Sequence, residues 1–146
     1  MNPVTSFGDI THVIQLAVAP VFLLTGVGTL LVVLTNRLAR AVDRSRIVEK
    51  LLPESTGGVL AAAHEELKLL ARRTQLIYAA ITLAVFCALF ICLLIAVAFL
   101  DAFVAADLSR VIGILFVLAM LALIGCLAVF LREIFLAVTS ARRLMR

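Results

Sequence analysis

Formal charges are so sparse along this chain that the intervals between them locate its elements. Residues 10–36, 74–100 and 111–131 carry none, in runs of 27, 27 and 21 positions. Roughly 20 apolar residues at about 1.5 Å rise cover the hydrocarbon core of a bilayer, so each run is long enough to cross it as a helix. The pattern predicts three transmembrane helices, near Val13 to Thr35, Leu76 to Leu100 and Val111 to Leu131. Strands would leave their amides unpaired in lipid, and three spans are too few to close a barrel. The tripeptide Ala17-Val18-Ala19 has the small-residue spacing of a signal-peptide cleavage site. However, no basic residue precedes it, the apolar stretch before it is short and Pro20 follows, so the first span is expected to remain in the mature protein.

The connection between the first two spans, about 36–75, also has helical periodicity. Apolar or small residues recur at Leu38, Ala41/Val42, Ser45, Val48 and Leu52, then at Leu60, Ala63, Leu67, Leu70 and Thr74. Spacings of three and four place each set on one helix face. Between the sets, Pro53-Glu54-Ser55-Thr56-Gly57-Gly58 supplies a proline that cannot continue a helix and two glycines that permit a reversal. The expected fold is all-α: one membrane domain over 1–146, with an antiparallel helical hairpin extending spans one and two. No Gly or Pro lies between Thr29 and Leu52 or between Val59 and Leu100. A continuous helix from Thr11 to Leu52 would be on the order of 60 Å long.

Composition agrees with this picture, since 64% of the 146 residues are hydrophobic and only 15% charged, which excludes an ordinary water-soluble domain. Charge then orients the chain. Of the 13 Lys and Arg, eight lie in 36–75 and four in 132–146, whereas Arg110 is the single one between spans two and three. The positive-inside rule places the N-terminus and the Asp101 to Arg110 turn outside, and the hairpin and C-terminus in the cytoplasm. The basic outer face of the hairpin reads as a solvated surface and topology determinant, or as a contact for anionic headgroups or an acidic partner. Asp43, Glu49, Glu65 and Glu66 interrupt the basic stretch and no aromatic residue lies in 36–75, so nucleic acid is not expected as a partner.

Span one holds most of the polarity within lipid. Positions three and four apart give His12, Gln15, Ala19, Phe22, Gly26, Thr29, Val33, Asn36, Arg40 and Asp43, a mostly small or polar face. One reading is a helix-packing seam, because small residues allow close approach and Thr, Asn or Gln can bond across helices. The other is an oligomer whose axis is lined by His12, Gln15, Gly26, Thr29, Asn36 and Arg40, with basic residues at the cytoplasmic mouth. Pro20, with Gly26 and Gly28 beyond it, marks an expected kink. Cys87, Cys92 and Cys126 fall inside spans and read as small packers. Glu133, beside Arg132 at the cytoplasmic border, can reach water or pair with the hairpin. No fully intramembrane charge appears, which argues against a proton-coupled transporter. No phosphate-binding loop, Ser/His/Asp set or paired catalytic carboxylates appear, so neither an enzyme nor a cofactor is expected.

The run LTGVGTLLVVLTNRLARAVDRSR, over residues 24–46, resembles a family of uncharacterised small bacterial membrane proteins, domain of unknown function 2721. The likeness is most specific at Asn36, Arg37, Arg40, Asp43 and Arg44, with Arg72 and Arg73 on the returning helix. It implies a bacterial inner-membrane setting and a three-span plan, and it brings no activity. On electrostatic grounds Asp43 is expected to pair with Arg40 or Arg46 one turn away, or with Arg72 or Arg73 across the hairpin. Arg37, Arg44, Arg72 and Arg73 are the expected lipid or partner contacts. The functional expectation is a homo-oligomeric, channel-like assembly. The alternative is a non-conducting scaffold or regulatory protein whose basic hairpin binds a partner or anionic lipid.

Overall fold

The structure is a computed structural model that describes residues 3–54, 57–104 and 107–144. It is all-helical: α1 spans Pro3–Leu51, α2 Gly58–Val104 and α3 Ser109–Leu144, with a short 3-10 turn at Leu52–Glu54 after α1. All three helices are long and apolar enough to cross a membrane. The helical pattern of 36–75 is therefore continuous with spans one and two, and α1 passes Pro20 without a break. At the start of α2, Gly57 has φ +62°, a left-handed conformation that a side chain would strain, and its carbonyl accepts the amide of Ala61 at 3.4 Å. The entry to α3 is fastened by Asp101, which accepts the Leu108 amide at 2.9 Å, and by Asp107, which accepts the Ser109 hydroxyl at 2.8 Å.

The chain divides into two compact units, one formed by Met1–Leu30 with Leu83–Ile124, the other by Leu31–Thr82 with Gly125–Arg146. In the first, the buried residues are Val27 on α1, Ala84, Cys87, Ile91 and Leu94 on α2, and Ala119 and Ala122 on α3. Spacings of three and four along α2 and α3 make these the knobs of a coiled-coil-like seam, with Ala and Cys allowing close approach. In the second, Leu34, Ala41 and Val48 repeat every seven residues on α1, facing a core that includes Leu70, Ile77, Ala80 and Cys126. Every residue assigned from sequence to the apolar faces of 36–75 is buried or half-buried here. Large side chains elsewhere are widely exposed, among them Phe22 at 73% and Phe103 at 73%, as suits surfaces facing acyl chains.

The small and polar stripe of α1 is not the packing seam of the chain. Gln15, Gly26, Thr29, Asn36, Arg40 and Asp43 are all exposed, and the buried line runs one residue further on, at Val27, Leu34, Ala41 and Val48. That line is wholly apolar, Val27, Leu34 and Val48 with the small Ala41, whereas the stripe beside it carries the amide, hydroxyl and charged groups. The stripe does not depend on a partner for its hydroxyls. Thr29 donates to the Thr25 carbonyl at 3.1 Å, and Thr25 to Val21 at 3.2 Å. A Cβ at Gly26 or Gly28 would meet nothing within 4 Å. The side chain of His12 lies outside the described residues. Cys87 and Cys126 are buried packers as expected, whereas Cys92 is exposed.

Candidate functional site

In the second unit, the seam of each helix gives way to charge. Arg37 follows Leu34 by three and precedes Ala41 by four; Arg73 stands in the same relation to Leu70 and Ile77; Glu133 follows Cys126 by seven. Side chains at these spacings project toward the same neighbours as the apolar knobs. They meet. Glu133, fully buried, accepts a 2.7 Å bond from Arg37 Nη1 on one carboxylate oxygen. On the other it accepts Nη2 and Nε of Arg73 at 2.9 and 3.2 Å.

A carboxylate removed from water is very costly unless both oxygens are matched by charged donors, and two guanidinium groups supply that match. The arginines keep 31% and 26% side-chain exposure, so their outer N–H groups remain within reach of solvent or a ligand. Phe130, one turn before Glu133, places its ring centroid 5.1 Å from the Arg37 guanidinium carbon, adding a cation–π contact that steadies this arginine.

Beside the triad lies an open cleft of about 340 Å³, lined by Arg37, Arg40, Arg44 and Arg73 over Ala41 and Leu70. Arg44 is engaged by Glu66, Nε to Oε1 at 2.7 Å. Arg40 is exposed and enters no ion pair among the described residues. Four guanidinium groups thus face two carboxylates, leaving two positive charges uncompensated.

One sequence expectation is corrected by this arrangement. Asp43 pairs with none of Arg40, Arg46, Arg72 or Arg73; it is exposed, where a solvated pair gains little, while the buried Glu133 claims Arg73. Of the residues expected as lipid or partner contacts, Arg37 and Arg73 are half-buried on Glu133, and Arg44 and Arg72 are exposed.

The model of one protein family, described as Protein of unknown function (DUF2721), matches residues 17–143. The chain belongs to this family. The match covers the three apolar segments Ala17–Leu51, Gly58–Asp101 and Ser109–Val138 and every residue of the arginine–glutamate cluster. Searches of curated proteins and of solved structures find no significant match.

For this DUF2721 chain, the cluster combines residues that sequence reading had kept apart. Sequence spacing allows Glu133 to reach 36–75, but it does not point to Arg37 and Arg73 together or to Phe130. The signal was present in the phase. Once Leu70, Ile77 and Ala80 are taken as one seam, Arg73 falls in it, and a seam arginine calls for an acceptor on a neighbouring helix, an acid among the candidates. His64 Nδ1 lies 2.9 Å from the Leu60 carbonyl of its own helix. Among the described residues, no group of three His, Cys, Asp or Glu side chains is placed to hold a metal ion.

Proposed function

We propose that this chain is a non-catalytic scaffold or regulatory protein of the bacterial inner membrane, with its N-terminus outside and C-terminus cytoplasmic. Its working surface is the basic cytoplasmic hairpin of 36–75, which associates with anionic lipid headgroups, and the chain assembles as a homo-oligomer. The observation that carries this reading is the arginine-lined cleft beside the Glu133 triad. Two of its four guanidinium groups, Arg37 and Arg73, are held by the buried Glu133, Arg37 also by the Phe130 ring, yet remain partly open to the medium. Rigid cationic groups at the edge of an apolar span suit a headgroup layer better than a conducting path.

Two measurements test this reading. Reporter fusions at the C-terminus and within the 101–110 turn should report opposite sides of the membrane. Nanodiscs cut from native membranes with the protein inside should be enriched in anionic lipid over bulk membrane, less so for Arg72→Gln. Bulk-like lipid in the nanodiscs would overturn the lipid-associating role.

The exposure of Gln15, Gly26, Thr29, Asn36 and Arg40 favours a second reading, in which several copies turn this stripe toward a common axis. Planar bilayers containing the purified protein should then show a conductance altered by Thr29→Leu or Arg40→Glu. A silent bilayer rejects the channel-like assembly.

A further inference from the structure

We propose that the cleft lined by Arg37, Arg40, Arg44 and Arg73 is a binding site for one phosphate group. The inference deepens the headgroup-associating reading above and rests on it. It replaces a diffuse attraction to negative surfaces with a single pocket of defined donors.

Three observations converge on phosphate. The first is residue type: all four cationic groups at the cleft are arginine, with no lysine among them. A guanidinium presents a planar fork of N–H donors matched to two oxygens of a phosphate, and its weaker hydration lowers the cost of partial burial. The second is charge. Glu133 is shared between Arg37 and Arg73, and Glu66 engages Arg44, so the cleft retains two uncompensated positive charges. A phosphodiester carries one negative charge and a monoester close to two, and either fits within that surplus.

The third observation is preorganisation. Arg37 is fixed by Glu133 and the Phe130 ring, Arg73 by two bonds to Glu133, and Arg44 by Glu66. Little side-chain ordering remains to oppose binding at Arg37 and Arg73, which the buried carboxylate holds. Arg40 alone has no protein partner among the described residues, although it lines the same cleft. It is the group left to close on the ligand. The cleft's 340 Å³ accommodates a phosphate and its ester substituents, and the apolar floor of Ala41 and Leu70 excludes water beneath the bound anion.

Two sources carry this chemistry, the headgroup of an anionic phospholipid and free phosphate. The full chain in detergent would be titrated with phosphatidylglycerol, with phosphatidylcholine and with inorganic phosphate. Native mass spectrometry would follow lipid adducts, and the shift in thermal unfolding would follow phosphate. The expected result is one tightly held anion per chain, with phosphatidylglycerol preferred over phosphatidylcholine. Losing a charge-assisted hydrogen bond weakens binding by about tenfold, the change expected for Arg40→Ala, with Arg40→Lys intermediate. Arg46→Ala, on the same helix but outside the cleft, should change affinity by less than about twofold.

Arg40-dependent binding of phosphatidylglycerol without a phosphate response assigns the site to lipid. Arg40-dependent stabilisation by phosphate alone assigns it to a soluble anion. Equal losses for Arg40→Ala and Arg46→Ala overturn the pocket and leave only surface attraction. In that case the anionic enrichment in native nanodiscs would survive, so failure of the site and failure of the broader reading are distinguishable.

Discussion

Replacing Glu133 by glutamine removes the one negative charge around which Arg37 and Arg73 are arranged while keeping nearly the same side-chain volume. In the wild-type protein the carboxylate accepts three N–H bonds, at 2.7, 2.9 and 3.2 Å. Removing one member of a buried ion pair costs about 3–5 kcal/mol when the remaining charge is fully enclosed. Here the remaining charges are arginines with 31% and 26% side-chain exposure, which can rehydrate outward. The amide oxygen of glutamine also keeps one acceptor in place. These two effects lower the expectation to about 2–3 kcal/mol, the worth of one or two charge-assisted bonds. Glu133→Ala should cost more, because it adds a cavity to the loss of charge. The assay is reversible unfolding of the purified protein in mixed micelles, read by helicity. Arg73→Gln and the Glu133→Gln/Arg73→Gln double variant complete a cycle, and the coupling energy should exceed about 0.5 kcal/mol. A Glu133→Gln protein within about 0.5 kcal/mol of wild type, with no coupling to Arg73, would refute the view that this triad holds the three helices together.

The other expectations differ in kind. Arg44→Ala removes a pair whose arginine is 53% exposed, so it should cost less than about 1 kcal/mol, and the effect should shrink when unfolding is repeated at high salt. Leu34→Ala empties a fully buried seam position and should cost about 2–5 kcal/mol in the same assay. Phe22→Ala, at a residue 73% exposed, should fall within about 0.5 kcal/mol of wild type in that assay. Thr29→Val should be similarly close to neutral, since the lost hydroxyl bonds only to the Thr25 carbonyl of its own helix; a loss above about 1.5 kcal/mol would reveal a partner across the helix face.

Much of the helical plan could be read from the sequence because it rests on strong, local physics. Gaps of more than 20 uncharged residues locate α1, α2 and α3 wherever backbone groups must be satisfied within the segment. The three-and-four spacing from Leu38 to Leu52 and from Leu60 to Thr74 identified faces that are indeed buried or half-buried. The stripe from Gln15 to Asp43 misled by a single residue of phase. Polarity and small size mark both packing seams and exposed faces, whereas Val27, Leu34, Ala41 and Val48 differ little from the other aliphatic residues of a uniformly greasy span. Spacing offers Asp43 partners one turn away, at Arg40 and Arg46, and on the returning helix, at Arg72 and Arg73. Its exposure, and the competing demand of Glu133, depend on how α3 approaches the other two helices, which no local spacing encodes. Phe130 and Glu133 could have been connected to Arg37 only by laying the third helix against the first.

The position of Glu133 in the same register as Cys126 gives α3 something like a reading frame. Deleting a single residue between them would turn the acid by about 100° and shift it by about 1.5 Å, taking it out of the seam and stranding two guanidinium groups. Adding seven would restore the angle while lifting the charge two turns away from its partners. The distance along this helix is therefore set by electrostatics as well as by bilayer thickness, and natural or engineered length changes should be confined to its ends.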